Sequence, residues 1–179
     1  MLAPLQRVPN GRLVPRGTTM PEVLVSLCIL SIGFAAVWTT AGRCLQMARS
    51  HRETIAATEV LMRRVEDCRA AGWNTVVSPA GIRDNILQAD VPSASFLPDV
   101  EELITVAPYP PVTPAPVPIV VRRSAGGSAQ IVSEPAAGLY LRSVLAVRVD
   151  FQATWKGAQN QRPRRREAST VISVQALLR

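Results

Sequence analysis

Residues 16–42, RGTTMPEVLVSLCILSIGFAAVWTTAG, decide how this chain is organised. From Val23 to Gly42 the chain holds 20 consecutive residues without a charged side chain. A helix of that length, at about 1.5 Å per residue, matches the thickness of a bilayer's hydrocarbon core. We therefore interpret the run as a membrane-spanning helix in preference to a buried helix of a soluble core.

A cleaved secretory signal peptide is the main alternative for this run, because Arg7, Arg12 and Arg16 form a basic region before it. Two features argue against that alternative. Glu22 stands at the start of the run, and the run is longer than a typical signal-peptide core. No small-x-small cleavage site follows before Arg43.

Gly17, Glu22 five residues later, and the apolar run directly after it together resemble the class III signal sequence of type IV pilins and pseudopilins. The resemblance implies that residues 1–17 are a leader, that prepilin peptidase cuts after Gly17, and that Thr18 becomes an N-methylated first residue. Glu22 would be the fifth residue of the mature chain, acting in assembly. Thr18 and Pro21 differ from the residues most common at these places in the family.

The position of Glu22 also has a physical interpretation. An acidic side chain in mid-bilayer costs about 2.5–3.5 kcal/mol on insertion scales, so a cation is needed nearby. Cleavage after Gly17 would supply the α-amino group of Thr18, and a neighbouring subunit's amine could then neutralise Glu22 and set the register. The alternative is that Glu22 only extends its carboxylate to the membrane surface.

Past the apolar run, residues 43–71 predict a continuing amphipathic helix, with Gly72 as its C-terminal cap. Apolar residues recur there every three or four positions, with charged residues between them. The predicted buried face consists of Leu45, Ala48, Ile55, Leu61 or Met62, Val65 and Cys68.

The remainder predicts an antiparallel sheet over about residues 100–178. Residues 144–156 alternate strictly between apolar and polar side chains, which is typical of a strand with one buried face. We predict a second such strand over 170–178 and weaker strands over 101–107, 119–123 and 129–132. Between the two clearest strands we predict a basic loop, a candidate contact site formed by Arg162, Arg164, Arg165 and Arg166.

Composition narrows the function classes. The chain has 179 residues, one His and three Cys, so catalytic triads and histidine-based metal sites have almost no residues to draw on. We predict no enzymatic activity, no metal and no cofactor. The formal charge is +7, and loss of the leader's three arginines would leave 17 cations against 13 anions, which is poor support for nucleic-acid binding.

The sequence therefore predicts an α+β, pilin-like fold: a long helix, transmembrane over 18–42, packed through its amphipathic half on a small sheet. The resemblance implies a non-catalytic minor pilin or pseudopilin of a type IV pilus or type II secretion system. It would be a single-pass protein of the bacterial inner membrane with residues 43–179 in the periplasm. Its partners would be other pilin subunits, prepilin peptidase and the inner-membrane assembly platform. The alternative is a signal-anchored periplasmic protein that does not assemble.

Overall fold

The computed structural model describes residues 19–113, 117–135, 141–157 and 161–174. One helix, α1, extends over Met20–Ala70, and two short helices follow, α2 (Trp73–Val76) and α3 (Pro79–Gly81). Residues up to Cys44 and residues from Leu45 onward form two separate compact units. The second unit contains the predicted α+β arrangement, in which the later part of α1 packs on an antiparallel sheet.

The sheet has five strands in the order β3-β2-β1-β4-β5, and every neighbouring pair is antiparallel. Its strands are β1 (Glu101–Pro108), β2 (Ile119–Arg123), β3 (Ala129–Ser133), β4 (Ala146–Lys156) and β5 (Pro163–Ser173). The predicted alternation is confirmed in β4, where Val147, Val149, Phe151, Ala153 and Trp155 are all buried. Because alternate side chains point to opposite faces, this one strand supplies much of the core beneath α1.

The predicted buried face of α1 is partly wrong. Leu61, Val65 and Cys68 are buried, but Leu45, Ala48, Ile55 and Met62 are exposed. The observed buried stripe is Glu53, Ala56, Ala57, Val60, Leu61, Arg64, Val65 and Cys68. Two charged residues, Glu53 and Arg64, belong to this buried stripe. A buried face predicted from apolar residues alone is therefore rotated about the helix axis relative to the observed face.

The chain between α1 and β1 forms a second layer that covers part of the core. Gly72, with φ of 73°, ends α1 as predicted, since its positive φ carries little cost without a Cβ. A π-helical turn over Ile82–Leu87 and a 3-10 turn over Pro92–Phe96 follow α3. Seven apolar side chains of this layer are almost fully buried: Val76, Val77, Ile82, Ile86, Leu87, Val91 and Leu97.

Close backbone packing between α2 and α3 fixes the chain path at the start of this layer. A Cβ on Gly81 would lie 2.5 Å from the backbone oxygen of Thr75, which is a severe clash. The Ser78 side chain accepts a hydrogen bond from the Gly81 N–H at 3.3 Å and caps α3. The layer therefore depends on local backbone geometry, which has little periodic signal in the sequence.

The predicted limits of the last strand and of the basic loop are also wrong. β5 begins at Pro163, so Arg164, Arg165 and Arg166 are strand residues and only Arg162 lies in the turn. The ladder between β4 and β5 is continuous from Lys156 opposite Pro163 to Ala146 opposite Ser173. Backbone pairing with all of β4 extends β5 through Arg164, Arg165 and Arg166, whose polarity had suggested a loop. The end of the predicted strand, residues 175–178, lies outside the described residues.

The structure of the second unit indicates that a fragment starting at Gln46 can fold without the preceding residues. Among the described residues, all of the buried apolar side chains lie at position 56 or later, so we expect this fragment to be a soluble, folded α+β monomer without the apolar run. It retains a single cysteine, Cys68, which is fully buried. Burial raises the pKa of the Cys68 thiol to about 12, with the Asp67 carboxylate adding to the shift.

Thiol labelling at pH 8 measures this directly. The native fragment should react with a thiol reagent at least a hundredfold more slowly than the urea-unfolded fragment, because the reactive species is the thiolate and burial suppresses it. Rapid labelling without urea, or circular dichroism without a strand signal, would show that the fold needs residues before Gln46.

Candidate functional site

The first candidate site is the apolar part of α1, taken within the first compact unit. The helix is long and apolar enough to cross a bilayer, and none of its most apolar 18-residue window is buried in the described part of the chain. Ile32 is 71% exposed and Trp38 83% exposed. Large apolar side chains lie all round the helix, so no face is suited to water.

The hydroxyl side chains of this run have acceptors within the helix. The hydroxyls of Ser26 and Ser31 each donate to the carbonyl four residues earlier at 2.8 Å. Thr39 and Thr40 both donate to the Ala36 carbonyl, at 2.9 and 2.8 Å. Every hydroxyl donor between Val23 and Gly42 is therefore satisfied locally, as an apolar solvent requires.

Glu22 lies in the first turn of α1, where an acidic side chain interacts favourably with the helix dipole. Its N–H donates to the Thr19 carbonyl at 3.0 Å. Its side chain is exposed, and no described cation lies within salt-bridge distance. Pro21 fits the same turn, since its missing N–H would have no helical acceptor there. Gly17 and Thr18, the predicted cleavage and methylation positions, lie outside the described residues.

The second predicted site, the arginines at 162–166, does not act as one loop. Arg164 Nη1 donates to Ser50 Oγ at 2.8 Å and to Glu53 Oε2 at 3.1 Å, so it holds the start of β5 against α1. The same Glu53 oxygen accepts from Trp155 Nε1 at 3.4 Å. Arg165 instead pairs with Glu167, and Arg166 is exposed.

Sequence reasoning missed the most buried charged pair. Arg64 is 1% exposed, and its Nε lies 2.7 Å from Glu102 Oε2 on β1. Its Nη1 donates to the Ile86 carbonyl, so one guanidinium ties α1 to β1 and to the π-helical turn. The available signal was spacing: residues 53, 57, 60, 64 and 68 follow each other at helical intervals of three or four.

The remaining candidate ligands are dispersed over the described residues. Cys28, Cys44 and Cys68 are all free. His51 is exposed. Among the residues that the structure describes, no three or more His, Cys, Asp or Glu side chains are grouped closely enough to hold a metal ion.

Comparison of the chain with protein-family models, with curated proteins and with solved structures finds no match.

The buried pair predicts an asymmetric response to mutation. Arg64→Ala should destabilise the fragment from Gln46 by about 3–5 kcal/mol, because the buried Glu102 loses its partner at 2.7 Å and keeps only the more distant Arg123, at 3.9 Å. Arg63→Ala is the matched control on the same helix: Arg63 pairs with Asp67 at 3.2 Å, but its side chain is 64% exposed. Such a surface pair contributes about 0–1 kcal/mol.

Urea unfolding of the two variants measures the difference. The double variant Arg64→Met/Glu102→Leu should recover most of the lost free energy, because it removes both charges together. Equal destabilisation by Arg64→Ala and Arg63→Ala would contradict a structural role for the pair.

Proposed function

We propose that this protein is a non-catalytic, membrane-anchored minor pilin or pseudopilin of a type IV pilus or type II secretion system. The observation that carries the proposal is the apolar part of α1, which begins with Glu22 and is covered by nothing in the described chain. A soluble subunit would leave this surface in water. A filament subunit places it in lipid first and against neighbouring helices later.

The composition of the helix supports a change of surroundings from lipid to protein. Its hydroxyls are satisfied internally, so neither environment needs to supply partners for them. A Cβ on Gly33 or Gly42 would meet no atom within 4 Å, so neither glycine is required by packing inside this chain. Small residues allow helices to approach closely in a membrane or a helix bundle.

The presence of Glu22 favours a subunit that assembles over a protein that is only anchored in the membrane. A helix that only anchors the domain gains at most the favourable interaction of Glu22 with the helix dipole, about 0.3–1 kcal/mol, which is less than the cost of about 2.5–3.5 kcal/mol for an acidic side chain in mid-bilayer. In the proposed filament, peptidase cleavage after Gly17 creates an α-amino group, and this amine of one subunit neutralises Glu22 of the next. N-methylation retains the positive charge of the amine.

The second compact unit suits a domain carried on such an anchor. Its apolar core forms without the apolar run, so the helix is available to partner subunits while the domain remains folded. In this proposal residues 43–179 lie in the periplasm, and the membrane-embedded part meets prepilin peptidase and the assembly platform.

Glu22→Gln tests the assembly role, because it removes the charge and retains the shape. We expect the variant to insert and to be cleaved, but its recovery with partner pilin subunits should fall about tenfold, which corresponds to roughly 1.4 kcal/mol. Ser26→Ala is the control: Ser26 lies one turn later, and its hydroxyl bonds only to the Glu22 carbonyl. It should assemble as the unmodified chain does.

Co-purification of tagged chains from membranes gives the measurement. Unchanged recovery of Glu22→Gln would mean that Glu22 merely reaches the membrane surface. A normal, cleaved chain that never recovers with partner subunits would instead identify a single-pass anchored protein that does not assemble.

A further inference from the structure

One end of the second unit carries a concentration of basic side chains. The bonds from Arg164 to Ser50 and Glu53 hold the start of β5 beside the first turns of α1 in this unit. The turn between β4 and β5 therefore lies at the same end as the exposed helix residues Arg49 and Arg52. We name the set the basic collar: Arg49, Arg52, Lys156, Arg162, Arg164, Arg165 and Arg166.

The basic collar is only partly neutralised. Arg164 pairs with Glu53 at 3.1 Å, Lys156 pairs with Asp99 at 3.0 Å, and Arg165 pairs with Glu167. Glu101, the next carboxylate on the outer face of the sheet, pairs with Arg122 at 3.4 Å. These three carboxylates do not balance the seven cations at this end.

Three exposed arginines contribute most to this excess. Arg49, Arg52 and Arg166 have no carboxylate within salt-bridge distance among the described residues. Their guanidinium groups keep their donors available, and a planar guanidinium binds phosphate oxygens in a bidentate manner.

Chain length limits how far the basic collar can be from the apolar run. Arg49 is seven residues after Gly42, a stretch of about 10 Å as a helix and at most about 25 Å fully extended. Arginine side chains are long enough to span several more ångströms. If the apolar run is embedded as proposed above, the collar is held near the headgroup layer of that membrane.

We propose that the basic collar binds the phosphate headgroups of anionic phospholipids in the membrane that holds α1. This inference rests on the proposed membrane anchoring. The arrangement favours a membrane over an acidic protein as the binding partner. The arginines lie at the same end of the domain, but they do not lie on one face of it. Arg165 and Arg166 point to opposite faces of β5, whereas Arg49 and Arg52 belong to the helix. A planar charged surface can contact them together.

The test uses the full chain in vesicles of phosphatidylcholine alone or with about a third phosphatidylglycerol, an anionic lipid. An arginine-selective dicarbonyl is added outside, and mass spectrometry measures the labelling of each arginine on outward-facing domains. Arg165 and Arg148 form a matched pair. Both are strand residues with half or more of the side chain exposed, and each pairs with a carboxylate two residues later.

They differ in position, because Arg165 lies opposite Thr154 near the collar end of β4, whereas Arg148 lies near its other end. Labelling of Arg165 should be about fivefold lower in the anionic vesicles than in the neutral ones, and high salt should remove the difference. Labelling of Arg148 should be the same in both.

Equal labelling of Arg165 in both kinds of vesicle, with the chain co-floating with the vesicles, would overturn the proposed lipid binding by the basic collar. It would leave the proposed membrane anchoring by α1 unaffected. Protection that appears only when partner subunits are added would assign the collar to a protein contact and also overturn the proposal. A chain that floats with neither vesicle would remove the proposed anchoring and the collar with it.

Discussion

The apolar run from Val23 to Gly42 has to be covered by something, and the described part of this chain contains no surface that covers it. This constraint governs the rest of the structure. The buried residues of α1 begin at Glu53, and both core clusters lie within the second compact unit. One helix thus has an uncovered part that is apolar all round and a later, amphipathic part that packs on the sheet.

Buried polar contacts fix how the amphipathic half of α1 sits on the sheet. Arg64 joins Glu102 near the middle of this half, and Glu53 joins Arg164 near its start. Arg69 donates to Thr170 at 3.3 Å near its end. Apolar packing alone tolerates sliding and rotation of a helix, whereas directional bonds between charged groups do not. These contacts define one position of α1 against β1 and β5.

The sequence alone predicted the elements with a strong period or a long run. The 20-residue uncharged run gave the long helix, and strict alternation gave β4. Prediction failed where burial depends on residues that are distant in the sequence. Glu53 and Arg64 are buried because Arg164 and Glu102 neutralise them, and no local sequence pattern contains that information. β5 begins at Pro163 because β4 offers it a backbone ladder. The turn over Ile82–Leu87 depends on close packing at Gly81, and the processing residues Gly17 and Thr18 remain predictions.

The mass of the mature chain isolated from membranes tests the central claim most directly. The account predicts a polypeptide that begins at Thr18 and is one methyl group heavier than the unmodified sequence from that residue. A chain that retains Met1, or one cut after the apolar run so that the helix before Arg43 is lost, would contradict it.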